Sequence, residues 1–377
     1  MKKIKVTWNN TLPKTIPLLL RSRANEYKSF ILQRSKDKDG KFQNYTYGQV
    51  YEEVLVLATA LRSLGVDRNT NVAIISDNRR EWLITDFAIQ SLGAVDVPRG
   101  CDSLGNEIRF ILSFADCKFG FFENERQLQK VLDKIEESPQ LRFAILFDEP
   151  ENEIIASAKK AGIRVISFTE IMADGKKLYD KDPELHKREI EKSMEQIQED
   201  DTCTIIFTSG TTGYPKMALH SHKYALGHIT TGIPKGVMLT HRNYMAQMRV
   251  IHNYVHCKPG DTWMTILPVW HSFERLIQYV APTMKCSLAY SKPVAPILLP
   301  DMDAVRPQWI CGVPRLWEAL ASGVDRAMRK KGGISFALYN FFIKVGNFLE
   351  KSYLNQIQAR FDEIGDLIDE EVRKWEQ

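Results

Sequence analysis

Short apolar runs alternate with amphipathic stretches through the first half of the chain. Asn71–Ser76 (NVAIIS), Phe119–Glu123, Arg142–Phe147 (RFAILF) and Arg164–Phe168 (RVISF) are rich in β-branched and aromatic residues, the pattern of buried strands. Between them, apolar residues recur at helical spacing. Over 44–64 these are Val50, Val54, Leu57, Leu61 and Leu64, with Thr46 placed to cap the helix and Gly65 to stop it. Arg80–Leu92 reads as a second helix ended by Gly93, followed by Leu104–Phe114, Gln127–Ile135 and Glu153–Ala161. Strands that alternate with helices predict an α/β fold of parallel-sheet layers flanked by helices on both faces.

The second half is less regular. Residues 180–201 form a charged, weakly apolar stretch that reads as a solvated helix and a boundary. Cys203–Phe207 (CTIIF) is strand-like, 281–290 is a mixed segment with room for a strand, Trp309–Val313 is strand-like and Pro314–Met328 is helical. From Leu354 onward, Leu354, Ile357, Phe361, Ile364, Ile368, Val372 and Trp375 step by three or four, an amphipathic helix. Such a helix packs on its own domain or pairs with a second copy, which leaves a homo-oligomer open. The expected division is an N-terminal α/β subdomain at 1–200, a second α/β subdomain at 201–350 and a C-terminal amphipathic helix at 351–377.

Composition narrows the class. Among 377 residues, 51 Lys and Arg face 47 Asp and Glu, a net charge of +4, which is no footprint for nucleic acid. At 44% hydrophobic and 26% charged residues the chain is of ordinary globular make-up and long enough to bury a core without disulfides. Its six cysteines form no C-x-x-C pair, which reads as reduced thiols in the cytoplasm. No apolar run reaches the ~18 residues of a membrane span. Arg326, Arg329, Lys330 and Lys331 precede an aromatic run at 336–348, so peripheral contact with a membrane surface stands beside plain core packing for those aromatics. Seven of the eight histidines lie between 220 and 271, yet no cysteine or carboxylate stands at ligand spacing beside them, so no metal site is expected there.

The segment with the clearest chemistry follows the strand at 203–207. Thr208, Ser209, Gly210, Thr211, Thr212, Gly213, Tyr214, Pro215 and Lys216 bring hydroxyls, glycines and a lysine to a strand end. Glycines let backbone N–H groups approach an anion, hydroxyls donate further hydrogen bonds, and the lysine adds positive charge, so the loop is a phosphate cradle in principle. Gly213 is followed by Tyr214 rather than Lys, so it is not a Walker loop. A surface loop of ordinary Ser/Thr/Gly composition is the plain alternative.

The string TSGTTGYPK, with KGVMLTHRNY at 235–244, resembles the phosphate-loop signature of the AMP-forming acyl-adenylating enzymes. LPVWHSFERLIQY at 267–279, RPQWICGVPRLWEAL at 306–320 and NYTYGQVYEEV at 44–54 are similar to the long-chain fatty-acid–CoA ligase branch, and the resemblance covers most of residues 10–345. It implies the N-terminal part of the adenylating-enzyme fold and a two-step ligase. A fatty-acid carboxylate and ATP give acyl-AMP and pyrophosphate; coenzyme A then displaces AMP. By the same resemblance, Thr208 to Gly213 and Lys216 hold the β- and γ-phosphates, Thr211 meets Mg²⁺, and His271 lies near the acyl carboxylate and α-phosphate with Trp270 and Phe273 beside it. The plain alternatives are that Trp270 and Phe273 are core and that Glu274 and Arg275 form an ordinary salt bridge.

Two departures from the family stand out. Thr211–Lys216 (TTGYPK) recurs as Thr230–Lys235 (TTGIPK), 19 residues on, and the match runs on to His222 against His241 and Lys223 against Arg242. Either lysine can serve; Lys216 is preferred because a strand feeds its loop directly, while Lys235 leads into the expected downstream strand. The second departure is the lack of the Tyr-Gly-x-Thr-Glu type motif, the ribose-binding Asp and the small mobile C-terminal domain with its catalytic lysine. An impaired ligase and a non-catalytic remnant that binds nucleotide, acyl chain or partner are therefore both open.

Overall fold

The structure, a computed structural model, describes residues 7–208 and 235–347. Trp8–Cys311 form one compact unit; the described residues from Gly312 onward belong to a second.

In the first unit the elements follow one another as α1 (Ile16–Glu26), β1 (Ile31–Lys36), β2 (Phe42–Thr46), α2 (Tyr47–Ser63), β3 (Asn71–Ile75), α3 (Arg80–Ser91), β4 (Val95–Arg99), α4 (Gly105–Phe114), β5 (Phe119–Phe122) and α5 (Glu125–Leu132). They continue with β6 (Phe143–Leu146), α6 (Asn152–Lys160), β7 (Arg164–Ser167), α7 (Phe168–Tyr179), α8 (Pro183–Gln196), β8 (Thr202–Thr208), β9 (Lys235–Thr240) and α9 (His241–Ile251). The unit closes with β10 (Thr262–Thr265), α10 (Ser272–Thr283), β11 (Ser287–Tyr290), α11 (Ala295–Val305) and β12 (Trp309–Ile310).

Two sheets result. The larger runs β7-β6-β5-β3-β4-β8-β9 and the smaller β12-β10-β11-β1-β2. Pairing is parallel except at one edge of each, β8 with β9 and β1 with β2. The parallel layers expected from the alternation are thus present, with an antiparallel strand closing one edge of each sheet. Strands from both sides of residue 200 share both sheets, so hydrogen bonding crosses the boundary expected there.

The local reasons are those the pattern suggests. Thr46 accepts from the Gln49 N–H while Gln49 reaches back to the Thr46 N–H, a capping box that starts α2. The charged stretch folds as α8, with Asp182 as its cap, and it buries Ile190 and Met194 rather than being solvated all round. α3 is buried on every side from Trp82 to Ser91, touching β1 of the smaller sheet and β4 of the larger. It joins the two layers into one core, where each large apolar side chain contributes about 1.5–3 kcal/mol.

The second unit holds α12 (Pro314–Lys331), none of whose side chains is buried, and a helical stretch at 333–347. Ile334, Leu338, Phe341 and Phe342 are exposed there. The amphipathic helix expected at 351–377 lies outside the described residues. Among those residues, no helix is long and apolar enough to cross a membrane, and all six cysteines are free.

Candidate functional site

The parallel strands β3, β4 and β8 end on the same side of the larger sheet. Ligands of α/β sheets sit outside such carboxyl ends, where loops replace strand pairing. Three loops meet there: Ser76–Arg79 after β3, Gly100–Ser103 after β4, and the chain leaving β8 at Thr208.

Thr208 is exposed and pairs in register with Lys235, the first residue of β9. Ser209, Gly210, Thr211, Thr212, Gly213 and Lys216 lie outside the described residues. Of the expected cradle, the structure places Thr208 and Lys235, side by side at its base.

His271 is set by a different device. The loop 266–271 after β10 is held by Asn78, whose Nδ2 donates to the Leu267 carbonyl (2.6 Å) and whose Oδ1 accepts from the Val269 N–H (2.9 Å). Trp270 then lies flat on Gly100. A Cβ there would stand 2.1 Å from Trp270 Nε1, so only glycine fits. His271 follows as the N-cap of α10, its Nδ1 accepting from the Phe273 N–H at 3.3 Å. That bond assigns the proton of a neutral imidazole to Nε2, which faces solvent from an exposed side chain. An anion near His271 thus meets an N–H donor and the positive end of a helix. Phe273 is 44% exposed and is not core; Trp270 is half-buried.

Arg99 joins the two halves. Its guanidinium lies 5.4 Å from the Trp270 ring, donates to the Phe207 carbonyl (3.1 Å) and to Ser103 Oγ (2.8 Å), and pairs with Glu107 at 3.6 Å. Phe207 immediately precedes Thr208. One side chain therefore ties the His271 loop to the strand that feeds the phosphate-loop sequence. Arg99, Asn78 and Gly100 were missed in the sequence; a Pro-Arg-Gly at a strand end is its only trace.

Beneath the site, α10 is fastened by a buried ion network. Arg275 Nη1 and Nη2 donate to Asp96 Oδ1 and Oδ2 (2.6 and 2.5 Å), Nη2 to Asp86 Oδ1 (2.5 Å), Nη1 to Thr204 Oγ1 (3.1 Å) and Nε to the Tyr279 hydroxyl (2.8 Å). Asp86, Asp96 and Arg275 are all fully buried. Burial, aided by the nearby Asp96 charge, pushes the Asp86 carboxyl up to about 7 despite the arginine. The network links α3, β4, β8 and α10. Arg275 does not pair with Glu274, as the sequence suggested: successive helical residues point about 100° apart, and Arg275 faces the two aspartates. Glu274 is buried beside the Leu267 amide and Gln278, completes no hydrogen bond to either, and burial holds its carboxyl well above the ordinary range. No group of three or more metal-ligating side chains occurs among the described residues.

Residues 21–229 and 230–368 match the profile of a family described as AMP-binding enzyme. The second stretch begins at Thr230, the first residue of the repeated TTGxPK. A chloroplastic long-chain-fatty-acid–[acyl-carrier-protein] ligase of Arabidopsis thaliana is 29% identical over 318 residues, 83% of this chain and 40% of that protein. Long chain acyl-CoA synthetase 3 of the same plant is 27% identical over 309 residues, 81% of this chain and 42% of that protein. The chain thus spans about two fifths of the length of these curated relatives. Among solved structures, the adenylation domain of a carboxylate reductase from Mycobacterium chelonae superposes with a TM-score of 0.65 at 17% identity, over 85% of this chain and 49% of that one. A long-chain-fatty-acid–CoA ligase from Archaeoglobus fulgidus gives 0.60 at 17% identity, over 86% and 57%. At these identities the structural likeness speaks for the fold.

Proposed function

The chain belongs to the AMP-binding enzyme family, and we propose that its site serves the activation of a long-chain fatty acid. The carboxylate attacks the α-phosphate of ATP and expels pyrophosphate; the thiol of coenzyme A then attacks the acyl carbon and expels AMP. What carries this reading is the TSGTTGYPK sequence that follows directly on β8, a strand whose Phe207 Arg99 couples to Trp270 in the loop bearing His271. Relatives named as acyl-CoA and acyl-carrier-protein ligases support the acyl substrate and a thiol acceptor.

In this reading no protein nucleophile is needed. Backbone N–H groups and hydroxyls of Thr208–Gly213 hold the β- and γ-phosphates, and Lys216 opposes the charge that develops on pyrophosphate. Lys235, fixed opposite Thr208, adds charge at the base of the cradle. His271 Nε2–H donates toward the reacting carboxylate and α-phosphate. Mg²⁺ would supply neutralisation of phosphate charge, with Thr211, which lies outside the described residues, as its contact. Free thiols support placement in a reducing compartment such as the cytoplasm.

A second reading is a nucleotide- or acyl-binding remnant without turnover. Fatty-acid-dependent ATP–pyrophosphate exchange decides. Exchange by the wild type, lost about 100-fold or more in Lys216→Ala and less than about ten-fold in Lys235→Ala, supports adenylation with the first loop in charge. The reverse order moves the role to Lys235. No exchange by folded wild type sinks the enzyme reading and leaves the remnant.

A further inference from the structure

The far edge of the larger sheet carries a cleft unrelated to the site above. β7 lies six strand spacings from β9, roughly 30 Å along the sheet. Helices α2 and α7 meet beside β7 through Gly175: a Cβ there would stand 2.5 Å from the Val56 carbonyl oxygen and 3.0 Å from Ala60 Cβ. Next to this contact the two helices and β7 enclose a cleft of about 450 Å³, within the roughly 300–1,000 Å³ of small-molecule sites. Its wall is apolar, made by Ala60, Leu64, Ile166, Ile171 and Leu178. Its charged lining is Arg164, Lys177, Lys181 and Asp174.

The charges do not cancel. Asp174 pairs with Lys177 at 3.2 Å. Arg164 and Lys181 have no carboxylate within ion-pair distance among the described residues, so two of the cleft's cations stand beside its apolar wall without an ion-pair partner there. Their neighbours Lys176 and Arg62 are paired, with Asp180 and Glu189. Arg164 opens β7, a free sheet edge, and Lys181 stands just beyond the C-cap of α7, where helix carbonyls leave the cation in place rather than supplying a full charge.

We propose that this cleft binds a small amphipathic anion, its hydrocarbon body against the apolar wall and its head on Arg164 and Lys181. Carboxylate and phosphate heads share that chemistry, and the test separates them. The proposal is independent of the adenylation reading, because the cleft lies at the β7 edge and two strands, β6 and β5, separate it from β3, the nearest strand of the site.

The experiment is photo-crosslinking of the full chain with diazirine-bearing decanoate, decyl phosphate and decanol, mapped by mass spectrometry. Expected is saturable labelling by one or both anions on peptides spanning 60–64 and 164–181. Labelling there falls at least about ten-fold in Arg164→Gln/Lys181→Gln, whose melting is unchanged because neither side chain has an ion pair to lose. Preference for decanoate or for decyl phosphate identifies the head group. Labelling confined to other peptides overturns the proposal. So does equal labelling by decanol, or labelling the double variant leaves intact.

Discussion

Glu274 and Arg275 are neighbours on α10, both buried to within 1% exposure, and the protein treats them in opposite ways. Arg275 makes five hydrogen bonds to four side chains, two of them carboxylates, and stacks 5.0 Å above the Trp82 ring. Glu274 completes none with either oxygen, and both polar atoms of Gln278, one turn on, are equally without a partner. The arginine survives burial because its charge is matched and its donors are used. The glutamate survives by holding its proton, which exchanges a large charge-burial cost for the smaller one of an unsatisfied polar group. One helix face thus contributes a fixed link from α10 to β4 and β8, while the adjacent face carries a standing cost.

The largest effect follows from breaking the paired side. Arg275→Ala leaves Asp86 and Asp96 buried together without a cation, and should cost about 3–5 kcal/mol in urea unfolding. Arg275→Lys keeps the charge but loses the two-pronged contact with Asp96, so it should fall between. A loss under 1 kcal/mol for the alanine variant would mean the network is not what fastens α10.

A third buried group sharpens the contrast through pH. His241 is 1% exposed, its Nδ1 accepts from the Ile16 N–H at 3.5 Å, and burial lowers it to about 3. The unfolded chain takes up this proton below about 6.5 whereas the native state refuses it until about 3, so stability is lost as pH falls through that window. At pH 4.5 the loss amounts to about 2–3 kcal/mol relative to pH 7. His241→Gln keeps an acceptor for Ile16 and removes the titration; the wild-type-minus-variant difference should shrink accordingly on acidification. Asp86 and Glu274 act with the opposite sign. Their native carboxyls hold protons the unfolded chain releases above about 4, so they weaken the fold as pH rises.

The orphaned side predicts a smaller effect in the other direction. Glu274→Gln removes the titration without changing shape, and should raise stability relative to wild type more at pH 8 than at pH 5. A loss at both pH values would show that the Glu274 carboxyl has a partner that the amide cannot replace.

The sequence already disclosed much of this frame, for physical reasons that also mark where it stopped. β3, β5 and β6 were legible because both faces are buried, so their runs are apolar throughout. β1 and β2 were not, because ILQRSK and FQNYT are partly exposed and carry polar residues, β2 at the sheet edge and β1 beside it. β10 is four residues long and shows no period. The pairing of β8 with β9 spans the repeated segment, so no hairpin signal joins them. At the site, the resemblance pointed to His271 by its motif. Asn78, Gly100 and Arg99 escaped notice, since the contact that ties each to the site is with a residue more than 100 positions away in the chain. Glu274–Arg275 read as a pair because adjacency in sequence suggests it, and helix geometry forbids it.

Arg99 supplies the smallest effect on stability and a distinct one on function. Unlike Arg275, it keeps 11% of its side chain in water, and its carboxylate partner Glu107 is 25% exposed, so solvent screens their 3.6 Å pair. Arg99→Met retains much of the aliphatic stem against Trp270 and loses the donors to Phe207 and Ser103. Unfolding should change by less than about 1 kcal/mol. If Arg99 aligns the His271 loop with the end of β8, pyrophosphate exchange should nevertheless drop about ten-fold, since small misplacements of reacting groups cost rate far more than stability. The drop should appear in the rate at saturating fatty acid and ATP rather than in either KM, because among the described residues Arg99 hydrogen-bonds neither Thr208 nor His271. An exchange rate that tracks the loss of stability, or a change confined to KM for ATP, would instead make Arg99 an ordinary surface pair.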